Sequence, residues 1–360
     1  MNSASKPVIP DVNAMNHDQS HQAFSKKIRP APLDGGFAMK DYWVWCGSVI
    51  AGPDGRFHMY ASRWSMSLAF RPHWLTNSEI VHAVSATPQG PYEYVQTILP
   101  PRGEEYWDGR MTHNPSVCYR DGQYLLYYTG TTYSGPTPTP DNPLDWESPA
   151  VWEARGNQRV GVAIASDPNG PWQRMDKPIL MPRPNHWDSL MTTNPAPCVC
   201  RDGSILLIYK SAGAVGEDQY NLRFGIASAD TPLGPYTRLQ DDPIFNLNAN
   251  IEDPFVWESQ PGRYEMIMKV INANITGESG CGLHAVSTNG MDWQLSDPPQ
   301  AYSRKVQWED QSVTIQHNFE RPQLLLENGK PTHLFAATSV LQNGREELER
   351  TWNMVVPLKS

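Results

Sequence analysis

The 360-residue chain carries 38 acidic and 29 basic side chains, a formal net charge of −9, with 19% charged and 39% hydrophobic residues. That is the composition of a soluble globular protein, and it excludes fibrous and disordered classes. No run of Lys or Arg supplies the clustered positive charge that nucleic-acid phosphates require, and no stretch reaches the roughly 18 consecutive apolar residues of a membrane span. Thirteen Trp, 15 Tyr, 33 Pro and 26 Gly favour many short strands, tight turns and a sugar-stacking cleft over helices.

Residues 1–35 are polar and lack the apolar centre of a secretory signal. They read as an N-terminal arm, disordered or packed on a neighbouring subunit, and an arm of this length predicts a homodimer built through it. Residues 36–360 read as one domain. The odd number of cysteines (Cys46, Cys118, Cys198, Cys200, Cys281), with Cys198 and Cys200 on one face of a strand, predicts reduced thiols and a cytoplasmic protein. An exported protein whose signal peptide has been removed would look the same. No Cys/His spacing suggests zinc, so no metal ligands and no required cofactor are assigned.

From residue 40 onward one pattern recurs five times: a polar or Pro-containing start, an apolar run, a Gly turn and a second apolar run. The copies are Trp45–Arg63, His113–Gly130, Thr193–Ser211, Glu252–Val270 and Glu320–Thr338. Their turns, at Asp54-Gly55, Asp121-Gly122, Asp202-Gly203, Pro261-Gly262 and Asn328-Gly329, stand where tight β-hairpins need them. A third apolar run follows each hairpin. Three of these runs end in Gly-Pro-aromatic turns at Tyr92, Trp172 and Tyr236, the fourth ends at Trp293, and Thr351–Lys359 closes the chain. Repeats of about 60 to 80 residues, each a small antiparallel sheet, predict an all-β fold: a five-bladed β-propeller with an axial funnel. Two long loops, Trp64–Asn77 and Tyr133–Gln158, are expected to wall one end of that funnel.

This pattern, with the acidic-acidic-Pro start Glu252-Asp253-Pro254, resembles glycoside hydrolase family 43 and its relative family 117. Arg321-Pro322 resembles the corresponding segment of family 117. The resemblance implies a five-bladed propeller with an axial active site, in which carboxylates opening the inner strands act as base, pKa modulator and acid. Glu252 matches the acid. Cys46-Gly47 stands where the family carries its basic Asp-Pro, and Asn194 stands in place of the modulator Asp.

Glycoside hydrolysis needs one protonated and one ionised carboxyl, so acids near strand starts are the candidates. A second repeat, Trp107-Asp108 ahead of His113-Asn-Pro and Trp187-Asp188 ahead of Thr193-Asn-Pro, supplies two of them. Asp108 and Asp188 either cap a turn whose Trp packs between blades or serve as base beside stacking Trp107 and Trp187. Glu320 holds the repeat position of Glu252 in the fifth copy and is a third candidate. Asp253 alternates to the other side of its strand. His113 and His317 could bind a hydroxyl, donate a proton or hold a structural metal ion on the axis, which is left open. Arg110 and Arg321 would suit an anionic sugar. Arg63, Lys210 and Lys269 end second strands and are expected far from the funnel.

The expected function is exo-acting removal of a terminal sugar from plant or algal oligosaccharides. Glu252 is the acid and Asp108 or Asp188 activates water, with inversion. The alternatives are a non-catalytic carbohydrate-binding propeller, or a lyase or phosphorylase on the same scaffold.

Overall fold

The computed structural model describes residues 23–216, 219, 221–341 and 348–359. Five antiparallel sheets follow one another along the chain. Blade 1 is β1 (Tyr42–Ala51), β2 (Phe57–Ser65), β3 (Glu79–Ser85) and β4 (Glu93–Leu99). Blade 2 is β5 (Met111–Arg120), β6 (Gln123–Thr131), β7 (Arg159–Ala165) and β8 (Gln173–Arg174). Blade 3 is β9 (Thr193–Val199), β10 (Ile205–Ser211), β11 (Arg223–Ala229) and β12 (Thr237–Arg238). Blade 4 is β13 (Ile251–Gln260), β14 (Arg263–Val270), β15 (Gly282–Ser287) and β16 (Gln294–Tyr302). A small hairpin, β17 (Lys305–Gln307) and β18 (Val313–Ile315), precedes blade 5, which is β19 (Asn318–Glu327), β20 (Lys330–Leu341) and β21 (Leu348–Pro357). The inner strands β1, β5, β9, β13 and β19 touch in that order, and β19 returns to β1. The five-bladed propeller read from the repeats is the fold. No helix among the described residues is long and apolar enough to cross a membrane.

The hairpins form because residues that tolerate a left-handed backbone sit at the turns. Asp121-Gly122 and Asn328-Gly329 both take positive φ, as a two-residue primed turn requires. Between the blades, facing apolar sets close into continuous clusters; Ile208 and Phe224 of blade 3, for example, pack with Val256 and Met268 of blade 4. Transfer of such surface from water is the main force holding the ring together.

Ring closure uses the end of the segment read as an arm together with the first two residues of the domain, Gly36 and Phe37. Ile28 and Phe37 bridge to Leu358 and Asn353, on the open edge of the three-stranded fifth blade. The Phe37 N–H donates to Asn353 O at 2.8 Å, and Gly36 O accepts from the Tyr92 N–H of blade 1 at 2.9 Å. Phe24 and Ala31 are buried in the cluster that joins blades 4 and 5. The described part of the arm, from residue 23, therefore lies on blades 4 and 5 of its own chain, and Gly36 and Phe37, which follow it, fasten the last blade to the first; residues 1–22 of the arm lie outside the described residues.

Phe37 is buried against Val44, Phe335 and Val355 across the closing seam. Phe37→Ala is expected to cost about 3–5 kcal/mol, read as a lower denaturant midpoint. An unchanged midpoint would show that the seam does not depend on this segment.

Candidate active site

Every inner strand carries the same irregularity near its start. Cys46-Gly47, Asn114-Pro115, Asn194-Pro195, Asp253-Pro254 and Arg321-Pro322 each place two residues opposite one on the second strand. The first residue of each pair has a left-handed backbone, with φ of 55°, 52°, 50°, 59° and 53°. These are β-bulges, where Pro is tolerated because ladder pairing is already interrupted. Each bulge turns one side chain onto the axis. Cys46 Sγ donates to Asn114 Oδ1 at 2.8 Å, Asn114 Nδ2 to Asn194 Oδ1 at 2.7 Å, and Asn194 Nδ2 to Asp253 Oδ1. The Arg321 backbone N–H donates to Asp253 Oδ2 at 3.1 Å. The Arg321 guanidinium is fully buried and donates to the carbonyls of Asn114 and Pro195 at 3.2 and 2.9 Å.

Above this ring lies a cleft of about 250 Å³. Its floor includes Cys46, Asn114, Asn194 and Asp253, and Glu252 and Glu320 stand at its side. Both long loops wall it, as expected: Trp64, Phe70, Arg71 and Trp74 from the first, Trp146 and Arg155 from the second.

Glu252 is held by two ammonium groups, with Lys210 Nζ donating to Oε2 and Lys269 Nζ to Oε1, both at 2.9 Å. Lys269 Nζ also donates to Glu320 Oε1 at 2.6 Å, and Asn318 Nδ2 reaches the same oxygen at 2.8 Å. Burial by itself would raise the Glu252 carboxyl, but Lys210 and Lys269 outweigh it and hold the group well below the ordinary carboxylate range. Glu252 is therefore ionised in the free protein. Asp253 moves the other way, raised by its burial and by the neighbouring charge of Glu252. Burial raises the Cys46 thiol, which stays protonated.

His113 borders the cleft with its ring against Trp64 and Trp74, at centroid separations of 5.8 and 5.3 Å. Burial, with the charges of Arg321 and Lys210, lowers it to about 3, so the imidazole is neutral. Its Nδ1 pairs with Ser78 Oγ at 2.8 Å.

The structure thus brings Glu252, Asp253, His113 and Glu320 to one cleft, with Arg321 beneath them. It does not bring Asp108 or Asp188 there. Asp108 is fully buried inside blade 2, where it accepts from Arg102 Nε at 2.7 Å and Tyr128 OH at 2.7 Å, with Arg174 Nη1 at 3.5 Å. Asp188 repeats the arrangement in blade 3 with Arg183, Arg238 and Tyr209, at 2.8–2.9 Å. Trp107 and Trp187 stack on those tyrosines and donate to the carbonyls of Met175 and Asp241. They pack the blades rather than a sugar; a Cβ on Gly161 would run into the Trp107 ring.

Arg110 is paired with Glu104 and Thr137 outside the cleft, and His317 is exposed in a neighbouring groove. Arg321 is fully buried, with Nη2 on two backbone carbonyls and Nε and Nη1 without a partner among the described residues, so neither predicted arginine faces the substrate side. Among the described residues no group of three or more His, Cys, Asp or Glu could hold a metal ion. Arg321 already sets a cation on the axis, so these residues do not fit an axial metal.

Lys210 and Lys269 correct the sequence reading in the other direction. In an antiparallel hairpin the end of the second strand lies beside the start of the first, and Lys210 pairs with Thr193 and Lys269 with Glu252. From there each reaches the next blade. Ser62 and Thr129 hold the same position in blades 1 and 2 and accept the N–H groups of Asn114 and Asn194, both at 3.1 Å. Arg63, one residue on, faces outward to Glu79 and Thr97 and stays away from the cleft.

The fold is a five-bladed propeller with a cleft at one end of its axis. No family model and no curated protein matches the sequence. Solved structures do. Zg3597, a family 117 glycoside hydrolase of the marine bacterium Zobellia galactanivorans, is 16% identical, with 92% of this chain and 88% of that one covered and a TM-score of 0.62. BT0996, solved as a complex with RGII, is 14% identical, with 93% of each protein covered and a TM-score of 0.67. A thermostable family-43 glycoside hydrolase is 12% identical, with 93% of each covered and a TM-score of 0.61. At these identities the likeness is one of fold.

Asp188→Ala would strand two arginines and a tyrosine hydroxyl, and is expected to cost about 3–5 kcal/mol with ligand binding per folded molecule unchanged; lost binding at full stability would return Asp188 to the site. His82 and His113 are lowered by burial from 6.5 to about 4 and about 3. Below pH 6.5 the unfolded chain takes up protons that the folded one refuses, so stability is complete above that pH and declines as pH falls towards 4. Urea midpoints from pH 7.5 to 4.5 check this, and a flat profile would contradict neutral buried rings.

Proposed function

We propose that the chain is a glycoside hydrolase that removes a terminal sugar from plant or algal oligosaccharides. One observation carries this reading: in a small cleft walled by Trp64, Trp74 and Trp146, two carboxylates on adjacent inner strands meet one ammonium group, Lys269 Nζ. Trp64 is buried, and the partly exposed Trp74 and Trp146 indoles offer faces to a sugar ring. A small cleft walled by two long loops at one end of the axis favours chain ends over chain interiors.

In this reading Glu252, ionised in the free protein, is the carboxylate of the pair, and Glu320 is the carboxyl that carries the proton to the leaving oxygen. That reverses the role that the family resemblance gives Glu252. The two oxygens on Lys269 Nζ lie at most about 5.5 Å apart by their distances to it. Separations of about 5–5.5 Å suit direct attack by the carboxylate, whereas about 6.5–9.5 Å leaves room for a water. The proposed outcome is therefore retention rather than inversion. Asp253, Asn194 and His113 would hold sugar hydroxyls, with His113 acting through its neutral ring.

A second reading is favoured by Cys46 and Asn194, which occupy axial ring positions where the family resemblance places carboxylates. It is a propeller that binds oligosaccharide without turning it over. Sugar release from a panel of plant and algal oligosaccharides, compared between wild type, Glu252→Gln and Glu320→Gln, separates the two. Each substitution is expected to lower release by about 10²–10⁴-fold, and the anomer first formed, read by NMR, is expected to match that of the substrate. Release that survives both substitutions would sink the assignment. Saturable binding with no product from any substrate would establish the binding reading.

A further inference from the structure

The first loop of the cleft turns at Phe70–Pro72, and the turn is fixed on both sides. Phe70 packs against Trp43, Trp45 and Trp64, at ring separations of 5.8, 5.0 and 4.9 Å. Pro72 and His73 are buried. His73 Nδ1 donates to Ala69 O at 3.0 Å, and Nε2 accepts the Leu144 N–H at 3.2 Å, which ties this loop to the second one. Between these anchors Arg71 is exposed and makes no hydrogen bond or ion pair among the described residues.

Its position is as informative as its lack of a partner. Arg71 borders the cleft, the groove of about 610 Å³ that holds Trp43 and His317, and a hollow of about 260 Å³ shared with Trp146. The lysines inside the cleft are matched, Lys210 by Glu252 and Lys269 by Glu252 and Glu320. Arg71 brings to the mouth a charge that no carboxylate of the described residues pairs with. A guanidinium presents a rigid fork of N–H donors that fits a carboxylate or a sulfate through two parallel bonds.

We infer that Arg71 reads an acidic substituent, a carboxylate or a sulfate, on the sugar seated in the cleft, with the Trp74 and Trp146 indoles against the ring. The inference rests on the cleft being a sugar site and names the class of sugar it takes. Neither Arg110 nor Arg321 can do this, since Arg110 is paired with Glu104 outside the cleft and Arg321 is fully buried beneath it.

Calorimetric titration of the full chain, in the wild type and in Arg71→Gln and Arg71→Lys, tests the inference. The probes are digalacturonate, a sulfated galactose disaccharide and their neutral galactose counterpart. One of the acidic probes is expected to bind on the order of tenfold or more tighter than the neutral one, and which of them does so identifies the acid. The preference is expected to weaken as salt screens the charge, to collapse in Arg71→Gln and to persist in part in Arg71→Lys. A wild type without preference, or a preference that survives Arg71→Gln, overturns the inference. Binding is read without turnover, so the two readings fail separately. An Arg71-dependent preference with no product from any substrate leaves this inference standing and removes the hydrolase; product release without preference does the reverse.

Discussion

Five polar strands cannot converge on one axis unless their side chains satisfy one another, and here a left-handed residue in each inner strand makes that convergence workable. In a regular strand, side chains at the axis would alternate between blade faces. The bulge instead aims Cys46, Asn114, Asn194, Asp253 and Arg321 at a common centre, where each hydrogen-bonds the next. Asn and Asp adopt this conformation with little penalty, but Cys46 and Arg321 carry strain on the order of 1–3 kcal/mol each. The surrounding blades hold them there. The residue before the bulge is thereby raised to the cleft in four of the five strands, as Trp45, His113, Glu252 and Glu320, so the chemistry of the site rests on the backbone geometry beneath it.

Charge makes the same point in another way. A buried guanidinium is costly to desolvate unless its surroundings answer it. The Arg321 guanidinium has the charge of Asp253 nearby and donates Nη2 to two inner-strand carbonyls, while its Nε and Nη1 have no hydrogen-bond partner among the described residues. One layer up, Lys210 and Lys269 answer Glu252 and Glu320. Without these lysines, burial would drive Glu252 towards its neutral form; with them it is ionised. The ionisation state of the most prominent acid in the cleft is thus set by the second strands of blades 3 and 4, not by the strand that bears it.

The propeller was legible because its signals are local and repeated: apolar runs of strand length, Gly at each hairpin turn and an aromatic after Gly-Pro. Glu252 and Glu320 were legible for the same reason, as equivalent positions in two copies. Asp108 and Asp188 show where repetition misleads. Trp-Asp recurs because blades 2 and 3 solve one packing problem twice, and the partners recur with it. Arg102 and Arg183 each follow a Pro shortly before the motif, and Arg174 and Arg238 each stand two residues after a Gly-Pro-aromatic turn. That matched set of arginines was the available sign of a structural ion cluster. Lys210 and Lys269 were missed for a topological reason, since a hairpin brings its second strand back to the end where the first began. Arg71 carries no pattern at all, because its role depends on where a loop folds.

The substitutions at Cys46 and Asn194 make sense together with the lysines. The axial cluster holds three cations, Lys210, Lys269 and Arg321, and three carboxyl groups, those of Glu252, Asp253 and Glu320. A carboxylate at position 46 or 194, which the resemblance would place there, would add a fourth acid to this buried set. At position 194 it would also face Asp253 across the hydrogen bond that Asn194 Nδ2 now donates. Two carboxylates so close cannot both ionise. An amide and a thiol close the ring without charge, and the two lysines move the ionised carboxylate to the Glu252 and Glu320 side of the cleft. Arg71 stands outside this set, at the mouth, where its charge is left for what enters.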